Sequence, residues 1–194
     1  MKIAIGIVGK IRSGKGTAEK LITEELQKRG FSVVSHRFSD ILKETQDSWY
    51  LSQGRDTQQK LVLAMRQYFG ENVLANVVEK RALNSSEDIV ILDGLRWIDS
   101  DYPLLRKLPN NYLIYVEASV ETRWQRSLLD NQKEDESRAT LEEFKIRDNT
   151  PNETGIVQFK DHADFIVDNS SSLDNLKTKV GKCLENLKLL STLY

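Results

Sequence analysis

Apolar and polar positions along this chain follow two rhythms, and the switches between them mark its elements. Ile3–Val8 is an almost unbroken apolar run, as in a strand covered on both faces. Lys15–Lys28 then sets Ala18, Leu21, Ile22 and Leu26 on one helical stripe, and Gly30 follows as a helix stop. Phe31–Phe38 reads as a second strand. Strand, glycine loop, helix and strand together predict a right-handed crossover between parallel strands. Ser39 and Asp40 predict the cap of a helix reaching about Tyr50. Leu51–Arg55 reads as a turn, and Thr57–Phe69 and Asn72–Leu83 as two helices parted at Gly70. Ile89–Leu92 and Tyr112–Val116 are further apolar runs and therefore strands. Ser119–Leu129 is amphipathic, Asn131–Ala139 is dense in charge, and Thr140–Asn149 is a helix opened by a Thr140–Glu143 capping box. Ala163–Val167 is a fifth strand, and from Ser172 a closing helix carries Leu173, Leu176, Val180 and Leu184 on one stripe. This order predicts an α/β fold, a five-stranded parallel sheet with helices on both faces.

The 194 residues suffice for one core and are too few for two ordinary domains, so a single domain over 1–194 is expected. A net charge of −1 supplies no global basic field, which argues against nucleic acid as the partner. No run approaches the roughly 18 apolar residues of a membrane span. The start of the chain leads directly into a glycine motif and reads as a buried strand, not a signal peptide. One cysteine, Cys183, excludes an internal disulfide and fits a reducing compartment, the cytoplasm. The composition leaves monomer and homodimer both open.

Chemistry concentrates at Gly9-Lys10-Ile11-Arg12-Ser13-Gly14-Lys15-Gly16-Thr17, directly after the first strand. Gly9, Gly14 and Lys15 fit the phosphate-loop spacing G-x-x-x-x-G-K. Glycines let backbone N–H groups converge on an anion, and the helix that follows points its positive end at the same place. Lys15 can then reach the β- and γ-phosphates of a nucleotide.

The stretch Ser13–Thr17 resembles the loop of adenylate kinases and other nucleoside monophosphate kinases, with Gly16 where a Ser or Thr usually follows the lysine. That resemblance implies a three-layer P-loop NTPase fold with a small lid. ATP would be the donor, Mg2+ would be held largely through ATP and water, and Thr17 would lie near the α-phosphate. No Asn-Lys-x-Asp motif of a GTPase is present. Asp93 closes the Ile89–Leu92 strand and is followed by Gly94, where motor-type ATPases usually carry a water-activating glutamate. Transfer to an acceptor other than water is the expectation, with Asp93 positioning the metal or its waters.

The remaining candidates follow the same resemblance. Arg96 stands just past a strand's carboxyl end, where parallel sheets place ligands, and suits an acceptor's anionic group. Asp40 can serve as a base, place Mg2+ or cap the helix after it. Arg55 and Arg66 are expected acceptor contacts within an acceptor-binding insertion at about 40–83. Arg126 and Arg138, with Arg123 and Arg147 nearby, match the arginines of a lid at about 127–150. Ala163–Ser170 resembles the adenine-side segment of dephospho-CoA kinases and archaeal adenylate kinase-like proteins, which puts Asn169 and Ser170 beside the adenine. Ser39–Glu44 with Arg66–Asn72 looks instead like a deoxynucleoside monophosphate kinase. The acceptor thus reads as a nucleoside or deoxynucleoside monophosphate, with dephospho-CoA as the alternative. An ATP-binding regulator without transfer activity is the rival from another class.

Overall fold

A computed structural model describes residues 3–129 and 139–187. The elements run β1 (Ile3–Val8), α1 (Lys15–Lys28), β2 (Val33–Arg37), α2 (Phe38–Ser48), α3 (Arg55–Phe69), α4 (Val73–Asn84), β3 (Ile89–Asp93), α5 (Asp101–Lys107), β4 (Asn111–Glu117), α6 (Val120–Leu129), α7 (Leu141–Asp148), α8 (Pro151–Val157), a 3₁₀ turn (Gln158–His162), β5 (Phe165–Asp168) and α9 (Leu173–Asn186). The sheet is wholly parallel, in the order β2-β3-β1-β4-β5. β1 lies at its centre with all six residues buried.

Alternation along the strands divides the core in two. Ala4, Val8, Val90, Leu92, Leu113 and Tyr115 face one layer, where α2, α3, α4 and α5 add Leu42, Val62, Val78 and Leu105. Ile5, Ile7, Ile91, Ile114 and Val116 face the other layer, where α1 and α9 add Ile22, Leu26, Leu176 and Leu184. Successive strand side chains point to opposite faces, so a strand with both faces covered must be apolar throughout.

The expected β2 ends one residue early. Phe38 is the first residue of α2 and is buried in the helical layer, and Arg37 stands at the N-cap position without a side-chain cap bond. Ser39 and Asp40 therefore fall within the first turn, where a carboxylate is favoured by the helix dipole. By contrast, the Thr140 box forms in full: Thr140 accepts from the Glu143 N–H, and Glu143 accepts from the Thr140 N–H. α5, α8 and the 3₁₀ turn are additions to the pattern read from the sequence. Most of the charged stretch 131–139, with Arg138, lies outside the described residues.

Candidate functional site

The phosphate loop leaves β1 at a point with no room for a side chain. A Cβ at Gly9 would lie 2.2 Å from the Val116 carbonyl oxygen and 2.7 Å from Ser13 Oγ. Arg12 turns the chain at φ 61, and Gly14 takes φ 92 as the N-cap of α1. The φ of Gly14 favours glycine, and a Cβ there would also displace Asn169 Nδ2, 2.1 Å away, from its place against the loop. No side chain caps the start of α1, and its first turn carries no acid. The N–H groups of the Lys15–Thr17 turn thus keep their affinity for an anion. Lys15 Nζ donates to the Lys10 carbonyl at 3.4 Å, which folds it back over its own loop.

Beside the loop, the register pairs Ile7 with Asp93, and Arg37 with Asp93 on the far side. Arg37 Nε approaches Asp93 Oδ2 at 3.4 Å, and its Nη2 reaches Glu19 Oε2 at 3.0 Å. Among the described residues, the buried Asp93 Oδ1 has no hydrogen-bond partner in good geometry. Burial pushes the Asp93 carboxyl above its ordinary value, with Glu19 adding to the rise and Lys15, Arg37 and the Gly94 N–H opposing it. An orphaned carboxylate oxygen next to a phosphate loop fits a hydrated Mg2+ arriving with a nucleotide. Among the described residues no three His, Cys, Asp or Glu side chains cluster as ligands, and Asp93 is the carboxylate of this cleft that could join that metal's shell through water.

A cleft of about 430 Å³ opens from this point. Lys15, Asp93 and Ile11 line it beside the phosphate loop, and Phe38, Leu42, Val62, Trp97 and Phe144 give it apolar walls. Ser39, Gln58, Gln59, Arg96, Arg147 and Glu153 supply its polar groups. Ligand sites of this kind are mostly apolar with a few placed polar groups, and this volume falls in their usual range.

Two buried carboxylates hold the loop in place from the α7–α8 side. Asp148 accepts from Lys10 Nζ at 2.8 Å and from Arg123 Nη2 at 2.8 Å. Burial alone raises the Asp148 carboxyl, but Arg123 and Lys10 together outweigh it and hold it below its ordinary value. Glu153 accepts from the Ile11 N–H at 3.0 Å and pairs with Arg96 Nη1 at 3.1 Å.

The residues singled out from sequence divide into two groups. Lys15, Asp93, Arg96 and Ile11 converge on the cleft, while Gly9–Thr17 forms the loop beside it. Asp40 is not among the lining residues; its half-exposed carboxylate pairs with Lys43 at 3.2 Å because it points outward from the first turn of α2. Neighbouring Ser39 takes the cleft position instead. Arg66 is likewise not in the cleft: its guanidinium lies 4.4 Å from the Trp97 ring centre and donates to Glu71 O and Ser100 Oγ. Arg126 sits behind the phosphate loop and donates to the Asn169 carbonyl at 2.7 Å and the Ser13 carbonyl at 3.4 Å. Asn169 joins it there, giving Nδ2–H to the Ser13 carbonyl at 2.9 Å. Ser170 Oγ accepts from the Ser119 N–H at 3.2 Å. The side chain of Arg55, like all of Arg138, lies outside the described part of the structure.

Sequence reasoning passed over Arg37, Asp148, Glu153 and Asp101. Asp101 is buried and accepts from the Arg96 and Trp97 N–H groups at 2.8 and 3.0 Å, which fixes the main chain that carries Arg96.

The parallel sheet, the loop between β1 and α1, and the acid on the neighbouring strand define a P-loop protein of kinase-like α/β fold. A protein-family model described as an AAA domain matches residues 8–145, and the chain belongs to that family. A UPF0200 protein of Thermococcus kodakarensis is 28% identical over 174 residues, covering 89% of this chain and 93% of the relative. Another, from Sulfurisphaera tokodaii, is 28% identical over 186 residues, 94% of this chain and 96% of the relative. The fold is shared with shikimate kinase from Bacteroides thetaiotaomicron, at TM-score 0.60 and 12% identity over 96% of this chain and 99% of that one. A gluconokinase from Sinorhizobium meliloti 1021 matches at TM-score 0.55 and 12% identity, over 95% and 94%.

Proposed function

We propose that this protein transfers the γ-phosphoryl group of ATP to a small anionic acceptor, a nucleoside or deoxynucleoside monophosphate. The observation that carries the reading is one cleft lined both by Lys15 and Asp93 and by aromatic and amide side chains. Phe38, Trp97 and Phe144 give the cleft an aromatic lining and Gln58 and Gln59 add amide donors and acceptors, a combination suited to a planar base. Arg96 and Arg147 offer charge to a phosphate in the same space. Shikimate kinase and gluconokinase share the fold and act, by their names, on small molecules.

In this reading the loop N–H groups and Lys15 hold the triphosphate. Mg2+, carried by the nucleotide beside Asp93, would neutralise charge on the phosphates. Arg96 orients the acceptor's anionic group, and a phosphate acceptor already brings an anionic nucleophile, so no protein base is required. The apolar walls keep water from the reacting atoms. Catalysis is then mostly positioning and electrostatics. The absence of an acid after Asp93, where Gly94 stands, disfavours activation of water.

The test is ADP release from Mg-ATP across ribo- and deoxynucleoside monophosphates, dephospho-CoA, shikimate, gluconate and water alone. Stimulation by a monophosphate well above the water rate supports the reading. Stimulation by dephospho-CoA or a sugar acid alone replaces the acceptor class, and tight ATP binding with no stimulation favours a regulatory protein.

A further inference from the structure

Glu153 lies in the first turn of α8, with its side chain only 11% exposed. Both carboxylate oxygens are engaged, one by the phosphate loop and one by the acceptor cleft. Oε2 accepts the Ile11 N–H at 3.0 Å, and Oε1 pairs with Arg96 Nη1 at 3.1 Å. The next peptide along is held as well, since Arg123 Nη1 donates to the Ile11 carbonyl at 3.4 Å. Arg96 is anchored at its own N–H by Asp101 at 2.8 Å, while 41% of its side chain stays exposed.

A carboxylate with both oxygens accepting from N–H donors is held at two points. It is a good spacer, since its length and both its contacts are fixed. We propose that Glu153 is a positioning residue that sets the distance between the phosphate loop and Arg96, and hence between the donor phosphoryl group and the acceptor's anionic group. The proposal rests on the kinase reading. In-line transfer needs the reacting atoms within about 3–3.5 Å, and a misplacement of about 1 Å costs roughly a hundredfold in rate. Glu153→Asp keeps the charge and shortens the spacer by one C–C bond, about 1.5 Å. Glu153→Gln keeps the length but turns an NH2 group toward a donor, so one of the two contacts is lost.

The experiment compares wild type, Glu153→Asp, Arg96→Ala and the double variant, using the monophosphate that best stimulates ADP release. Glu153→Asp should lower kcat by about ten- to a hundredfold, a larger factor than any loss of ATP affinity. In the Arg96→Ala background the same change should add less than about threefold, because the two residues act as one unit. Full kcat in Glu153→Asp, or effects that multiply in the double variant, would overturn the proposal. The Ile11 amide in a 1H–15N spectrum is a separate readout that needs no turnover. It should move upfield in Glu153→Gln and shift in Arg96→Ala. An Ile11 amide unmoved in Glu153→Gln overturns the spacer itself. A wild type that transfers to no acceptor while its Ile11 amide responds as expected retains the tether and overturns its role in transfer.

Discussion

Replacing Asp148 by Asn is the perturbation whose size the structure sets most clearly. Asp148 and Arg123 are 6% and 5% exposed, and the carboxylate bonds both Arg123 and Lys10. The amide keeps the volume but removes the negative charge and presents NH2 to at least one of two cations. Breaking a buried pair in this way leaves an uncompensated charge and costs about 3–5 kcal/mol. For a chain of this length each kcal/mol moves Tm by about 2–4 °C, so the loss should be roughly 6–20 °C at pH 7. Arg123 retains bonds to the Ala118 and Ile11 carbonyls, which places the expectation toward the lower half of that range. Thermal unfolding followed by circular dichroism measures it. The sign with pH follows from the depressed Asp148 carboxyl. Its contribution is complete above the ordinary aspartate value of 3.8 and is lost as pH falls through the lower folded-state value. The gap between wild type and Asp148→Asn should therefore be full at pH 7 and close in strong acid. A Tm within about 2 °C of wild type at pH 7, under 1 kcal/mol on that scale, would refute the buried-pair reasoning.

Gly14→Ala should weaken ATP binding, because it strains a φ of 92 and displaces Asn169 Nδ2 from the loop; calorimetry showing wild-type affinity would contradict the packed loop. Arg66→Ala should lower stability by about 1–3 kcal/mol through its lost bonds and ring contact, and should change acceptor KM far less than Arg96→Ala does. The reverse ranking in steady-state kinetics would return Arg66 to the acceptor. Burial pushes the Cys183 thiol up to about 12, so iodoacetamide at pH 8 should label it only after denaturation. Rapid native labelling, read by mass spectrometry, would show α9 packed more loosely than described.

The parts of this molecule that were legible in sequence are those whose physics is local. A strand buried on both faces must be apolar throughout, so β1, β3 and β4 stood out as runs. The capping box at Thr140 and the glycine loop encode their geometry in neighbouring residues, and both form. The end of β2 did not show, because Phe38 is equally suited to a strand and to the buried face of a first helical turn. The same shift of one residue sends Asp40 outward and Ser39 into the cleft. α5 escaped notice because it is only seven residues long, too short for a period to register. Glu153 and Asp148 were invisible for a different reason. Their partners Ile11, Arg96, Lys10 and Arg123 lie far along the chain and meet them only when α7 and α8 fold over the loop. One signal was available: acids in a segment following a phosphate loop rich in Lys and Arg are candidates to neutralise it. The partners of Arg66 and Arg126 were likewise not legible: both donate to backbone carbonyls, and Arg66 also lies over the Trp97 ring.

The central claim is that the γ-phosphoryl group goes to a bound acceptor and not to water. The most direct measurement is the fate of that group: ATP labelled at the γ-position, Mg2+ and the best monophosphate acceptor, with products separated and counted. The account predicts label on the acceptor as a diphosphate with little inorganic phosphate, and loss of both by orders of magnitude in Lys15→Ala. Label appearing as inorganic phosphate at the same rate with and without acceptor would contradict it and make this chain a hydrolase.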